Sequence, residues 1–246
     1  MGFHPSPPSL DIDIIFNKLV IQKRGGYCFE QNGLLAAVLQ HLGYELYTTF
    51  SNVVRENSEA AALGQVELKG FSHNVILVRG PEDGHWRLVD AGFGGRTPTH
   101  PVLLEHPADD SYTGDTVFRV RRGLIGKVAE PTTDYLEHES HALGWYLQRY
   151  SHTAKQWQDQ HFFREVEAAH GDFEVINWAI ATSPTKGFYH TLTMGIQRPD
   201  GGRVTLQDDV LRIIQSSDKA EERILQTPED FKAALEEYFG IRPITS

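Results

Sequence analysis

The chain has 246 residues, of which 40% are hydrophobic and 23% charged, and its formal net charge is −10. This composition is typical of a soluble globular protein. The acidic balance argues against nucleic acid as a partner, because phosphate backbones require clustered Lys and Arg. No apolar run approaches the roughly 20 residues that a membrane span needs, so no membrane partner is predicted. The N-terminus lacks the pattern of a secretory signal.

The single cysteine, Cys28, excludes an intrachain disulfide and favours a reducing compartment. We therefore expect a cytoplasmic protein. One thiol also excludes zinc sites built from several thiolates, and the 12 histidines show no ligand spacing on a convincing helix. The sequence thus predicts no metal site.

Apolar periodicity predicts the elements in chain order. A short amphipathic helix is expected over Asp11–Val20, and a second helix runs from Cys28 to Leu42 with Gly43 just after its end. Glu45–Val54 is rich in β-branched and aromatic residues and predicts a strand. Further strands are predicted at Gln65–Leu68, Ser72–Arg79, His85–Asp90, Thr116–Arg122, Ala142–Tyr150 and Lys155–Phe163. Arg96–Asp110, with its prolines, is expected to be irregular.

The last part of the chain predicts a hairpin and a helix. Thr191–Gln197 and Arg203–Leu206 flank a Pro-Asp-Gly-Gly run that is typical of a hairpin loop. The final helix begins with Thr227 as N-cap and Pro228 in its first turn, and Asp230 completes a pattern like a capping box.

The lone cysteine follows a glycine pair in the run Arg24-Gly-Gly-Tyr-Cys-Phe-Glu-Gln-Asn32. A thiol in the first turn of a helix meets free N–H groups and the positive end of the helix dipole, which both stabilise a thiolate. Cys28 is therefore a candidate nucleophile. A single cysteine is also commonly an inert buried residue, and that alternative stays open.

A base for this thiol is predicted on a hairpin of Ser72–Arg79 and His85–Asp90, joined by a turn-forming run. Matching the apolar faces of the strands puts His73 directly opposite Asp90; the same register pairs Leu77 with Trp86 and Val75 with Leu88. Opposed residues have Cβ atoms about 4.5–5.5 Å apart, so an imidazole–carboxylate hydrogen bond is within reach.

An imidazole held in this way can take a proton with its other nitrogen, as an activated thiol nucleophile requires. His73 and Asp90 could equally be a satisfied polar pair without a catalytic role. The glycine-rich run Ala91–Gly95 that follows could let its backbone approach a phosphate or acyl group, or it could be a tight connection between strands.

Five segments together resemble the arylamine N-acetyltransferase family. They are RGGYCFEQN at 24–32, SHNVILV at 72–78, LVDAGFGG at 88–95, and the later pair DFEVIN at 172–177 and SPTKGF at 183–188. The resemblance runs from about Leu10 to the C-terminus. It implies a ping-pong acyltransferase that moves an acetyl group from acetyl-CoA, or another short acyl-CoA, to a small aromatic amine, hydrazine or hydroxylamine.

The resemblance also implies a role for each matching residue. Cys28 would be the nucleophile, His73 the base and Asp90 the group that orients it. Coenzyme A and the acyl group would lie near Gly92, Gly94 and Ser72. The acceptor pocket would be bordered by Phe29, Val53, Phe93 and Phe188. Arg24 and Glu30 are interpreted as structural charge partners.

The implied fold is α+β with a cysteine-protease-like core. It would comprise a helical N-terminal lobe (1–45), a β-barrel-like domain (46–192) and an α/β lid (193–246). The family usually has several dozen residues before the cysteine, and this chain has 27, so we expect a shortened lobe. Two alternatives remain: a thiol hydrolase or transglutaminase-like enzyme with the same triad, and a truncated, non-catalytic family member.

Overall fold

The computed structural model describes residues 6–55, 59, 63, 65–104, 111–113, 116–127, 142–183 and 190–241. The predicted first helix is present as α1, Ile12–Phe16, which continues as a π-helical segment over Asn17–Ile21. Asp11 caps α1 by accepting hydrogen bonds from two backbone N–H groups of the first turn.

The second helix, α2, spans Cys28–His41. Glu30 accepts a hydrogen bond from the Tyr27 N–H at 3.2 Å and so satisfies a donor at the helix start. The buried Glu30 also forms an ion pair with Lys18 (2.6 Å), a partner that was not predicted from the sequence. Gly43 follows the helix with a φ of +85°, a conformation that glycine adopts without strain.

Eight antiparallel strands form the main sheet, in the order β4-β3-β2-β1-β8-β7-β6-β5. They are β1 Leu46–Arg55, β2 Glu67–Arg79, β3 Trp86–Val89, β4 Val102–Leu103, β5 Ser111–Thr113, β6 Thr116–Leu124, β7 Leu143–Ser151 and β8 Gln156–Phe163. Val102 of β4 and Phe118 of β6 lie in one buried cluster, although five strands separate them in the sheet order. The sheet therefore curls and brings its two ends together. The predicted β-barrel-like middle is confirmed.

One continuous strand, β2, replaces the two strands predicted over Gln65–Leu68 and Ser72–Arg79. In the structure, the register between β1 and β2 shifts twice near Ser51 and Asn52, so bulges absorb the irregular stretch without ending the strand.

The predicted hairpin register was wrong by two residues. Leu77 pairs with Leu88, and Arg79 pairs with Trp86, so the connecting loop is longer than the predicted one. A shift of two residues leaves every side chain on the same face, and a pattern with a period of two therefore cannot detect it.

After the barrel, α3 spans His170–Thr182, and a second sheet follows in the order β12-β11-β10-β9. Its strands are β9 Thr193–Gln197, β10 Arg203–Gln207, β11 Val210–Ile214 and β12 Ala220–Ile224, and α4 is Pro228–Phe239. The predicted β9–β10 hairpin and the predicted cap of the last helix are confirmed. Among the described helices, none combines the length and apolar character that crossing a bilayer requires. The predicted domain limits stay predictions.

Candidate active site

Cys28 is the first residue of α2 and is 6% exposed. Its Sγ lies 3.8 Å from the carbonyl oxygen of Ser72, a distance that suits a weak S–H···O hydrogen bond. Gly92 packs directly against Cys28, because a Cβ built on this glycine would lie only 2.5 Å from the Cys28 Cα. The loop after β3 therefore meets the start of α2 at a point where only glycine fits.

His73 and Asp90 form a buried pair, with His73 Nε2 2.7 Å from Asp90 Oδ2. His73 lies on β2 and Asp90 just after β3. They are diagonal neighbours in the observed register, and long side chains can bridge that separation. The predicted contact is thus present although the predicted register is wrong.

The Cys28 thiol lies close enough to His73 to contribute, with Asp90, to raising the pKa of its imidazole. Since Nε2 is bonded to Asp90, Nδ1 is the nitrogen left for the thiol. The three predicted catalytic side chains therefore meet in space, which the sequence alone could not show.

The charged forms of His73 and Asp90 stabilise each other. Burial disfavours the charged imidazole, but the Asp90 carboxylate and the Cys28 thiol outweigh burial and raise the pKa of His73 to about 10. Burial would likewise raise the pKa of the Asp90 carboxyl, but His73 and the Gly92 N–H hold it below its usual value. A protonated imidazole beside an ionised carboxylate is the state that stabilises a thiolate.

Asn32 supports this pair and was not predicted as a site residue. It is fully buried one helical turn after Cys28. Its Nδ2 donates to Oδ1 of Asp90 (3.0 Å) and to the carbonyl of Asn74 (2.7 Å), and its Oδ1 accepts from the N–H of Ala91 (2.7 Å). A signal was available, because an i, i+4 spacing puts Cys28 and Asn32 on one face of the helix.

The glycine-rich loop also contacts the second sheet. Gly94 has a φ of +71° and open space where a Cβ would be. A Cβ on Gly195 of β9 would lie 2.3 Å from the Gly95 nitrogen, so two backbones meet closely here. The roles predicted for Gly92, Gly94 and Ser72 toward coenzyme A stay predictions.

The predicted pocket residues occupy different environments. Phe29 is 2% exposed and packs edge-on against Phe50 and Phe173 in an apolar cluster. Phe93 lies over the triad, with its ring centroid 4.9 Å from that of His73. Val53 is half-buried on β1. Phe188 lies outside the described residues, and the acceptor-pocket assignments stay predictions.

A second buried histidine, His161 on β8, was also missed. Its Nε2 is 3.9 Å from Asp90 Oδ2, and its ring centroid is 5.3 Å from that of His73. Within the described part of the chain, His73, Asp90 and His161 are the one group whose donor atoms lie close enough to hold a metal ion. Two of these three already satisfy each other by a hydrogen bond, so triad chemistry explains them without a metal.

Comparison with known proteins places this fold and site in a family. The sequence model of the N-acetyltransferase family matches residues 4–243. The arylamine N-acetyltransferase of Escherichia coli K12 is 31% identical over 237 residues, which cover 96% of this chain and 74% of that protein. The Mycolicibacterium smegmatis enzyme is 31% identical over 192 residues, 78% of this chain and 60% of that protein.

Comparison with solved structures leads to the same family as the sequence comparisons. The Mycobacterium marinum arylamine N-acetyltransferase in complex with CoA matches with a TM-score of 0.77 at 27% identity, covering 96% of this chain and 77% of that one. The Mycobacterium abscessus enzyme matches with a TM-score of 0.79 at 27% identity, covering 99% and 76%. These matches define an acyltransferase. The chain belongs to the arylamine N-acetyltransferase family.

Proposed function

We propose that this chain transfers an acetyl group from acetyl-CoA to an arylamine, arylhydrazine or arylhydroxylamine through an acetyl-cysteine. The observation that carries the proposal is the buried group of Cys28, His73 and Asp90 at the start of α2. The match to a relative solved with CoA supports a coenzyme A thioester as the donor.

In the first half-reaction, the Cys28 thiolate attacks the thioester carbonyl, and the C–S bond to coenzyme A breaks. The leaving coenzyme A thiolate takes a proton from the His73 imidazolium. Asp90 keeps the imidazole oriented through Nε2, and the Cys28 sulfur then carries the acetyl group. The backbone of Gly92 packs directly against Cys28, so the glycine-rich loop lies beside the nucleophile.

In the second half-reaction, the acceptor nitrogen attacks the acetyl carbon, and the C–S bond to Cys28 breaks. His73 takes the proton that the amine loses, which restores the thiolate–imidazolium pair. An aromatic border formed by Phe93 and the other predicted pocket residues suits a flat aryl group.

The acyl group of the donor needs its own test. The N-malonyltransferase FDB2 of Gibberella moniliformis is 27% identical over 95% of this chain, and small pocket changes can change the acyl group that an enzyme accepts. Acetyl-, propionyl- and malonyl-CoA should each be tested with aniline-type and hydrazine-type acceptors. The highest kcat/KM is expected for acetyl-CoA.

Rapid mixing with acetyl-CoA in the absence of an acceptor tests the central step. We expect a burst of free coenzyme A, measured by chromatography, and an acetyl adduct on the peptide that contains Cys28. Cys28→Ser should lose both. Absence of the burst and of the adduct in the wild type would refute the proposal.

The same experiment separates the alternatives. A thiol hydrolase would keep releasing coenzyme A without an acceptor at the rate seen with one. A non-catalytic family member would give neither burst nor turnover. The cytoplasmic location expected from the single cysteine stays a prediction, which fractionation of source cells can check.

A further inference from the structure

His161 is fully buried beside the catalytic pair, and neither of its ring nitrogens has a hydrogen-bond partner. Its Nε2 lies 3.9 Å from Asp90 Oδ2, the oxygen to which His73 Nε2 is bonded at 2.7 Å. A buried polar group without a partner destabilises a folded protein, so its presence here needs an explanation.

The groups that face His161 come from several elements. The titratable ones among the described residues are His73 on β2 and Asp90 after β3, with Cys28 of α2 behind His73. The other described residues in ring contact with His161, or paired with it in the sheet, carry no titratable group. They are Phe93 and Phe163, at ring distances of 5.0 and 6.0 Å, and Val53 and Leu147, its partners on β1 and β7.

The ring is neutral at neutral pH. Burial and the charge on His73 lower the pKa of His161 to about 3. A neutral imidazole has one N–H donor and one acceptor nitrogen. It can therefore donate to the Asp90 carboxylate without adding a positive charge that would oppose protonation of His73.

The two oxygens of Asp90 are supported unequally. Oδ1 accepts from Asn32 Nδ2 (3.0 Å) and from the Gly92 N–H (2.8 Å). Oδ2 bonds to His73, and His161 Nε2 is the next donor beyond it. A separation of 3.9 Å is too long for a hydrogen bond, but an approach of about 1 Å would make one.

We propose that His161 is a positioning residue, whose Nε2–H closes on Asp90 Oδ2 and holds the carboxylate while His73 transfers its proton. The proposal rests on the proposed function. When His73 gives its proton to the leaving thiolate, Oδ2 loses a cationic partner. A second donor at that oxygen keeps Asp90 in place and keeps its negative charge stabilised, so that His73 can be protonated again.

Three substitutions separate this role from packing. His161→Phe keeps a planar ring but removes both nitrogens. His161→Gln keeps a donor near the position of Nε2, and His161→Asn keeps one near the position of Nδ1. Gln and Asn are matched polar amides, so their difference reports which nitrogen matters.

The main readout is alkylation of Cys28 by iodoacetamide as a function of pH, since thiolates are the reacting form. This reaction needs no acyl-CoA, so it stays informative even if the wild type fails to transfer acetyl groups. We expect alkylation of His161→Phe near pH 7 to be about 10- to 100-fold slower, with the rise of its rate shifted to higher pH. His161→Gln should retain most of the wild-type rate, and His161→Asn should resemble His161→Phe.

Thermal unfolding of the same variants completes the test. Because His161→Phe removes unsatisfied nitrogens from the core, its unfolding temperature should equal or exceed that of the wild type while its reactivity falls. Equal alkylation profiles for wild type and His161→Phe would overturn the proposal. Equal losses in the Gln and Phe variants would also overturn it, because they would show that a donor near the position of Nε2 does not preserve the rate. If His161→Phe does not fold, the Gln and Asn pair decides.

Discussion

Replacing Asn32 by alanine should destabilise the fold and disable the triad together. The substitution removes the partner of the buried Asn74 carbonyl and of the Ala91 N–H, and one of the two donors to Asp90 Oδ1. A buried backbone group left unsatisfied costs about 1–3 kcal/mol, so loss of the partner of the Asn74 carbonyl alone should lower the free energy of unfolding by roughly 1–3 kcal/mol. Urea denaturation should show this as a lower midpoint with an unchanged m-value.

The burst of free coenzyme A distinguishes the loss of support for Asp90 from a general loss of stability. Asn32→Asp keeps an acceptor for the Ala91 N–H but replaces the donor that lies 3.0 Å from Asp90 by a second carboxylate. Two carboxylates at this distance cannot both ionise easily, so the pKa of one of them rises. We expect the burst of free coenzyme A to be lost in Asn32→Asp under conditions where urea titration shows the protein folded.

Gln40→Ala is the matched control, because Gln40 is exposed on the same helix. Its unfolding free energy should stay within about 0.5 kcal/mol of wild type, and its burst should be unchanged. The reasoning fails if Asn32→Ala behaves like Gln40→Ala, or if Asn32→Asp gives a burst of wild-type size and rate.

Three further predictions follow from the geometry. Gly92→Ala places a Cβ 2.5 Å from the Cys28 Cα and should lower both the coenzyme A burst and the unfolding temperature, whereas Gly171→Ala, which meets nothing within 4 Å, should change neither. The pKa of His73 is raised from 6.5 to about 10, so its contribution to stability is fully present below about pH 6.5 and falls as the pH rises toward 10. Denaturant titrations should show this loss, and His73→Gln should flatten it. Asp218→Ala leaves the buried Arg149 without its ion-pair partner and should cost about 3–5 kcal/mol; a loss below about 0.5 kcal/mol, or altered alkylation of Cys28, would contradict this.

The main elements of the fold could be predicted because their signals are local. The apolar spacing of α2, the β-branched run of β1 and the cap at Thr227 each depend on neighbouring residues. The strand β12 was missed for the same reason, whereas β11 was missed although its Val-Leu-Arg-Ile-Ile run is typical of a strand. All five residues of β12 are exposed, so the strand has no apolar alternation, and its pairing to β11 supplies its structure.

The hairpin illustrates how a correct contact can follow from a wrong register. Alternation fixed the face on which His73 and Asp90 lie, but the length of the turn set the pairing, and the turn was read two residues too short. Because both registers keep the two side chains on one face, their hydrogen bond is within reach in either.

The parts of the site that could not be predicted are contacts between distant segments. Asn32 is 58 positions from Asp90, and His161 comes from a strand far along the chain. No local sequence pattern shows that an amide or imidazole will be buried beside a carboxylate. Whether the two side chains meet depends on which strands become neighbours in the sheet. The order β2-β1-β8 in the sheet is what brings His161 beside His73.

The two Asp90 oxygens have different hydrogen-bond partners, and this difference gives them different roles in proton transfer. Donors from α2 and from the loop backbone hold Oδ1, and neither donor can change its protonation state. Among the described residues, the side chains near Oδ2 that can donate to it are two imidazoles, His73 at 2.7 Å and His161 at 3.9 Å. The carboxylate is thus held in place through Oδ1, while the hydrogen bonds of Oδ2 can change as His73 loses and regains its proton. Loss of an Oδ1 donor should therefore disturb the position of Asp90 throughout the reaction, whereas loss of His161 should leave Oδ2 without its second donor only while His73 transfers its proton.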